Sequence, residues 1–210
     1  MISNDVAIDV LNAALSTGGD YAEIYCENAL NRSLNLENGK VDSCGSNQSY
    51  GAGIRILKGL QSVYGFTSDL SKNNLIKLAN SLAVRFDGER IITVKNLEEQ
   101  EVKSLHNIKN HCKDVPTGEK IQYLQECYEA AKSVDERLIR INTAMSDYYK
   151  DIVIFNAEGE TAKKFVTNEE RSRLFIIAVA SDNGELETYL NAPGRCAGWD
   201  WFTKDRKSVV

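Results

Sequence analysis

The extended runs of this chain come in two consecutive groups, and that grouping limits the folds open to it. In the first group, residues 21–27 (YAEIYCE) alternate Ala22, Ile24 and Cys26 with Glu23, Tyr25 and Glu27. Such a period of two marks a strand with one buried face. Residues 33–37 alternate again, and Asn38-Gly39 is a strong hairpin signal. The polar run 40–49 is read as continuing the meander. Residues 50–66 (YGAGIRILKGLQSVYGF) then supply two short apolar runs. The second group comprises residues 137–145 (RLIRINTAM), 151–155 (DIVIF), 163–180 and 185–190. Asn156-Ala157-Glu158-Gly159 and Ser181-Asp182-Asn183-Gly184 fall between them as hairpin turns. Strands that do not alternate singly with helices favour an α+β fold with largely antiparallel β-meanders over a doubly wound one.

About three helices are expected to pack on these meanders. Residues 4–16 carry Val6, Val10, Ala13 and Ala14 at helical spacing, with Asn4 or Asp5 as cap and Gly18-Gly19 as terminator. Ser71 is placed to cap a helix over 72–85, with Leu75, Ala79 and Leu82 on one face. Pro116-Thr117 opens a third over 118–134, whose stripe is Ile121, Leu124, Cys127, Tyr128, Ala131 and Val134. Residues 86–116 read as an irregular excursion with one short strand at 91–94. The domain reading is one N-terminal domain over 1–198, with sub-parts at about 1–85 and 117–198. Residues 199–210 are read as the start of a further domain.

Four glycines punctuate residues 50–66. A dinucleotide fingerprint follows a strand and opens a helix, whereas Gly51 and Gly53 precede a strand. A phosphate loop also needs a Gly-Lys-Ser/Thr end. The structural reading is a bulged or closely approached strand pair, with Arg55 pointing opposite to Ile54 and Ile56.

The formal net charge of the 210 residues is −5, and the densest basic segment is the short run Lys204-Asp205-Arg206-Lys207. Direct nucleic-acid binding is therefore not expected, because affinity for phosphate chains needs Lys and Arg. No window approaches the ~20 apolar residues of a membrane helix. The N-terminal residues lack the basic region of a signal peptide. Cys26, Cys44, Cys112, Cys127 and Cys196 form no C-x-x-C pair and read as free thiols, which points to the cytoplasm.

Chemistry has few candidates. His106, His111 and Cys112, with Asp114, form H-x4-H-C. Zinc uses such ligands, but a separation of five does not place two of them on one helical face. They are read as surface residues of a polar excursion. No carboxylate pair stands out, and Gly-x-Ser-x-Gly is absent. No catalytic, cofactor-binding or metal-binding residue is therefore assigned.

Several short motifs nevertheless carry a resemblance. Gly19-Asp20-Tyr21-Ala22-Glu23, Leu36-Glu37-Asn38-Gly39-Lys40-Val41, Gly51-Ala52-Gly53-Ile54-Arg55, Tyr64-Gly65-Phe66-Thr67 and Asp69-Leu70-Ser71 follow one another in this order. Val134-Asp135-Glu136-Arg137, Asn156-Ala157-Glu158-Gly159 and Gly194-Arg195-Cys196-Ala197-Gly198-Trp199-Asp200 continue it. Together they resemble the N-terminal region of the TldD/PmbA family, on its TldD side. That family is also labelled modulator of DNA gyrase and is regarded as a group of zinc metallopeptidases. The resemblance implies a cytoplasmic peptidase acting on unstructured peptides, assembled from like or related subunits. Its zinc signature, His-Glu-x-x-x-His, belongs to a C-terminal half. No His in these 210 residues is followed by Glu, so no metal ligand transfers to any position here. The expected role is the non-catalytic N-terminal portion of such an enzyme, with a stand-alone interaction module as the alternative. Trp199, Trp201 and Phe202 are expected to be exposed aromatics awaiting a following helix or an oligomer contact.

Overall fold

The structure is a computed structural model that describes residues 1–103, 106 and 108–204. Its strands are β1 (Tyr21–Glu37), β2 (Lys40–Lys58), β3 (Gln61–Thr67), β4 (Asn96–Gln100), β5 (Leu138–Ala157), β6 (Thr161–Asp182), β7 (Glu185–Asn191) and β8 (Gly194–Arg195). The helices are α1 (Asn4–Ala14), α2 (Lys72–Ala83), α3 (Thr117–Lys132) and the short α4 (Asp200–Lys204). The strands run in the order β3-β2-β1-β5-β6-β4, with β7 and β8 also paired to β6. The fold is α+β, and its sheet is largely antiparallel. β4 pairs with β6 in parallel.

Runs that the sequence breaks into pieces are continuous in the fold. Residues 21–27 and 33–37 lie on one strand, and 137–145 and 151–155 on another. The turns are where the pattern puts them. Asn38 and Gly39 have φ of 49° and 75°, and Asn183 and Gly184 have 50° and 87°. These left-handed pairs match the right-handed twist of a hairpin. At Gly39 a side chain would also strike the Tyr128 ring, 2.7 Å from the position of its Cβ.

Two compact units are assembled from interleaved segments of the chain. The first comprises Met1–Ala29, Ser49–Ser104 and Lys150–Asn168. In it, Ala7, Val10, Leu11 and Ala14 of α1 and Leu75, Ala79 and Ala83 of α2 pack on Ala22, Ile24, Cys26, Ile54, Ile56 and Phe155. Ser3, not Asn4 or Asp5, caps α1, its hydroxyl accepting the Val6 N–H at 3.4 Å. The α1 C-cap is Leu15, and Gly18 takes its left-handed conformation (φ 86°) further on.

The strand expected at 91–94 lies instead at 96–100. Asn12 explains the shift. Its amide donates to the Val94 carbonyl and accepts the Val94 N–H, both at 2.9 Å. One side chain thus satisfies both backbone groups of Val94, which needs no strand partner there. The chain then joins β6 through Lys95 and Asn96, whose N–H groups donate to the Glu160 carbonyl.

The second unit comprises Leu30–Gln48, Leu105–Tyr149 and Glu169–Val210. Its core gathers Leu34, Leu36, Tyr123, Leu124, Cys127, Met145, Leu174, Trp199, Trp201 and Phe202. The α3 stripe is shifted from the expected one: Lys120, Tyr123, Leu124 and Cys127 are buried, and Val134 is exposed. Trp199, Trp201 and Phe202 are buried, against the expectation of an exposed tail. Tyr123 meets both Trp199 and Phe202 edge-on at 5.6 Å between ring centroids. The indole N–H groups have partners, Trp199 donating to Glu119 at 2.7 Å and Trp201 to Ser172 at 2.6 Å. The rings turn inward because α3 and β6 supply both apolar surface and acceptors. The rest of the expected further-domain segment, 205–210, and the basic run 204–207 apart from the backbone of Lys204, lie outside the described residues.

Candidate functional site

The second unit buries an ionic cluster on the sheet face that its helices cover. Asp147 of β5 accepts from Arg32 Nε of β1 at 2.9 Å and from Lys120 Nζ of α3. Arg32 Nη2 also donates to the Cys112 carbonyl at 2.5 Å. Glu170 of β6 accepts the Cys112 N–H at 2.6 Å on one oxygen and meets His111 Nδ1 at 2.5 Å with the other. The Lys113 ammonium sits 3.4 Å above the centroid of Tyr149, and the His111 ring meets Tyr149 edge-on. The Glu170 and Asp147 side chains are only 1% and 5% exposed. Burying carboxylates so completely requires this full set of donors.

His111 and Cys112 are therefore not surface residues of a loose excursion. Cys112 and Asp114 form a 3-10 turn with Lys113, docked on the sheet through Glu170 and Arg32. His106 is exposed. Among the described residues no three His, Cys, Asp or Glu side chains gather in a way that could hold a metal ion. The described residues thus do not fit a zinc centre. Burial, and then the Glu170 and Asp147 carboxylates, push the Cys112 thiol up to about 12. The cluster fastens the 3-10 turn and the start of α3 to the sheet.

Sequence reading missed Arg32, Lys120, Asp147 and Glu170. Parity would have found two of them. Ile141, Thr143, Met145, Asp147 and Tyr149 share one buried face of β5, and Glu170, Ser172 and Leu174 share one of β6. A charge at an inward position of an alternating strand is the signal.

The glycines of residues 50–66 lie in the first unit. Ile54 and Ile56 are buried while Arg55 is exposed, as the alternation requires. Gly53 pairs with Phe66, and Arg55 with Tyr64. A Cβ on Gly53 would fall 2.5 Å from the Tyr64 hydroxyl and 2.8 Å from its ring, so the missing side chain seats that ring. Tyr25, Glu27, Tyr50, Gly51, Tyr64 and Phe66 line an open groove of about 360 Å³ there. It holds no phosphate-loop geometry. The glycines serve a closely approached strand pair.

Two sequence models of one family then match in tandem: the PmbA/TldA metallopeptidase domain 1 over residues 22–96 and the central domain over residues 110–208. The chain belongs to the PmbA/TldD metallopeptidase family. Curated relatives agree. A metalloprotease TldD homolog from Buchnera aphidicola (subsp. Schizaphis graminum) is 27% identical over 183 residues, covering 87% of this chain and 37% of the relative. A TldD homolog from Haemophilus influenzae is 19% identical over 203 residues, covering 96% and 42%. The chain thus spans well under half the length of these relatives. The family's fold recurs in solved structures. A proposed modulator of DNA gyrase from Bacteroides thetaiotaomicron superposes with TM-score 0.71 at 14% identity, over 100% of this chain and 50% of that one. TldE from Thermococcus kodakarensis gives 0.57 at 12% identity, over 85% and 40%.

Proposed function

We propose that this chain is the non-catalytic N-terminal and central portion of a TldD-like zinc metallopeptidase that degrades unstructured peptides. The tandem match to domain 1 and the central domain carries this reading. The absence of any His-Glu pair in the 210 residues supports it, since the family's zinc helix needs one. Zinc is assigned to the C-terminal half of the parent enzyme. The part played by these residues is scaffolding: chamber wall, contact with a like or TldE-type subunit, and a surface for extended peptide.

The β3 edge suits that last role. Among the described residues β3 ends the strand order, and its sequence QSVYGFT carries no charge. Tyr64 and Phe66 are 61% and 79% exposed. Edge strands that must avoid partners usually carry charge or proline. An extended peptide added to such an edge gains backbone hydrogen bonds whatever its sequence. The compartment that fits is the cytoplasm, where free thiols persist.

The test is hydrolysis of a flexible peptide by the purified chain, with added zinc and with a chelator. No zinc-dependent cleavage is expected. Cleavage that zinc supports and chelation removes would overturn the assignment.

A further inference from the structure

Beyond the buried cluster, the second unit has a concentrated cationic surface in an otherwise acidic chain. Arg171 and Arg173 of β6 are exposed and alternate with the buried Glu170, Ser172 and Leu174, so they stand on the opposite sheet face. β8 pairs with β6 and aligns Gly194 with Arg173. A Cβ on Gly194 would touch the Arg173 stem at 3.3 Å, so this glycine gives the stem room to lie across it. Arg173 Nε donates to the Ala192 carbonyl at 3.2 Å, and the guanidinium lies 5.0 Å from the Phe175 centroid. Its orientation is therefore set before any ligand arrives. Arg195 is the third arginine lining one open depression of about 500 Å³, together with Ser146, Tyr148 and Cys196, and its guanidinium lies 5.7 Å from the Trp201 centroid. No Asp or Glu is among the described residues that line it. Glu169 meets Arg171 at a long 3.5 Å.

We propose that this depression binds a compact oxyanion, the carboxylate or phosphoryl group of a small ligand or chain terminus. A guanidinium presents five N–H donors in a planar fork that matches either group. Three arginines line one hollow, with Arg173 held by Ala192 and Phe175 and Arg195 beside Trp201, which reduces the ordering cost of capture. Hydroxyls at Ser146 and Tyr148 add neutral polar groups to the wall. A long polyanion fits less well. The chain is −5 overall, and Glu185 and Glu187 are exposed on β7, which pairs with the same β6 strand. Those charges repel a phosphate chain that extends beyond the hollow. The site does not depend on the peptidase reading, and hydrolysis assays leave it untouched.

The experiment is calorimetric titration of the 210-residue chain with inorganic phosphate, and with a short peptide bearing a free C-terminal carboxylate beside its amidated twin. Saturable binding is expected for phosphate, for the free-carboxylate peptide or for both, against a chloride control of equal ionic strength. Phosphate alone would assign a phosphoryl ligand, and the carboxylate peptide alone a carboxylate ligand. Arg171→Gln should weaken binding about tenfold or more, and the Arg171→Gln/Arg173→Gln pair should abolish it at unchanged Tm. Arg171→Gln carries the test if the pair does not fold, because its side chain is 66% exposed. Bound anion should also slow alkylation of the exposed Cys196 in a Cys44→Ser background. Failure of every probe to saturate by tens of millimolar, or equal binding to Arg171→Gln, would overturn the proposal. So would tighter, steeply salt-dependent binding of a single-stranded oligonucleotide.

Discussion

Asp147 serves two cations, Arg32 and Lys120, in a buried setting. Its loss and theirs are therefore unequal. Asp147→Ala strands both cations and should destabilise the chain by about 3–5 kcal/mol. Lys120→Met removes one charge, leaves the Arg32 pair and keeps the apolar stem, so it should cost much less. Urea midpoints of the two variants give the order directly. Asn12→Ala should lose about 1–3 kcal/mol, because buried Val94 would be left with an unpaired N–H and carbonyl. Thiol titration gives a further check. With Ellman's reagent at about pH 8, exposed Cys44 and Cys196 should react quickly, and buried Cys26, Cys112 and Cys127 only on unfolding. Burial raises the folded Cys26 thiol to about 11 and, with help from Glu170 and Asp147, Cys112 to about 12, from an ordinary value of 9.0. Below about pH 9 neither thiol makes stability depend on pH. Above it the unfolded chain releases protons that the folded chain keeps, so stability falls toward pH 11–12. Urea midpoints between pH 9 and 11 should fall, and fall less steeply in Cys112→Ala. Little of this was legible in the sequence, because burial of a charge depends on partners far along the chain. Arg32 and Asp147 are 115 residues apart.

At the scale of elements, local signals are legible in the sequence and their joining is not. Asn38-Gly39 and Asn183-Gly184 form turns because two residues suffice to specify them. Gly39→Ala should be destabilising twice over, through its left-handed φ and through collision with Tyr128. Strand continuity was not visible where polar residues interrupt the alternation, since hydrogen bonds to neighbouring strands carry the chain through. Strand β4 was displaced from 91–94 to 96–100 because a single asparagine on α1 occupies the backbone of Val94. The burial of the aromatic tail is hidden from the sequence for a related reason: α3 shows its acceptor, Glu119, and its Tyr123 only once folded. Trp201→Ala should cost about 3–5 kcal/mol as a buried aromatic deletion. Iodide should quench the two indoles poorly in the folded chain and freely in urea.

At the scale of the molecule, the family was legible from the order of weak motifs, and the fold class from the grouping of strands. The interleaving of the two units was not, because strands such as β1 and β5 contribute residues to both. Among the described residues no helix is long and apolar enough to cross a membrane. The central claim is that these residues carry the family's fold without its zinc chemistry. It is tested most directly by incubating the purified chain with a fluorogenic flexible peptide, with zinc and then with a chelator. The account predicts background cleavage under both conditions. Zinc-restored, chelator-sensitive turnover by the 210 residues alone would contradict it.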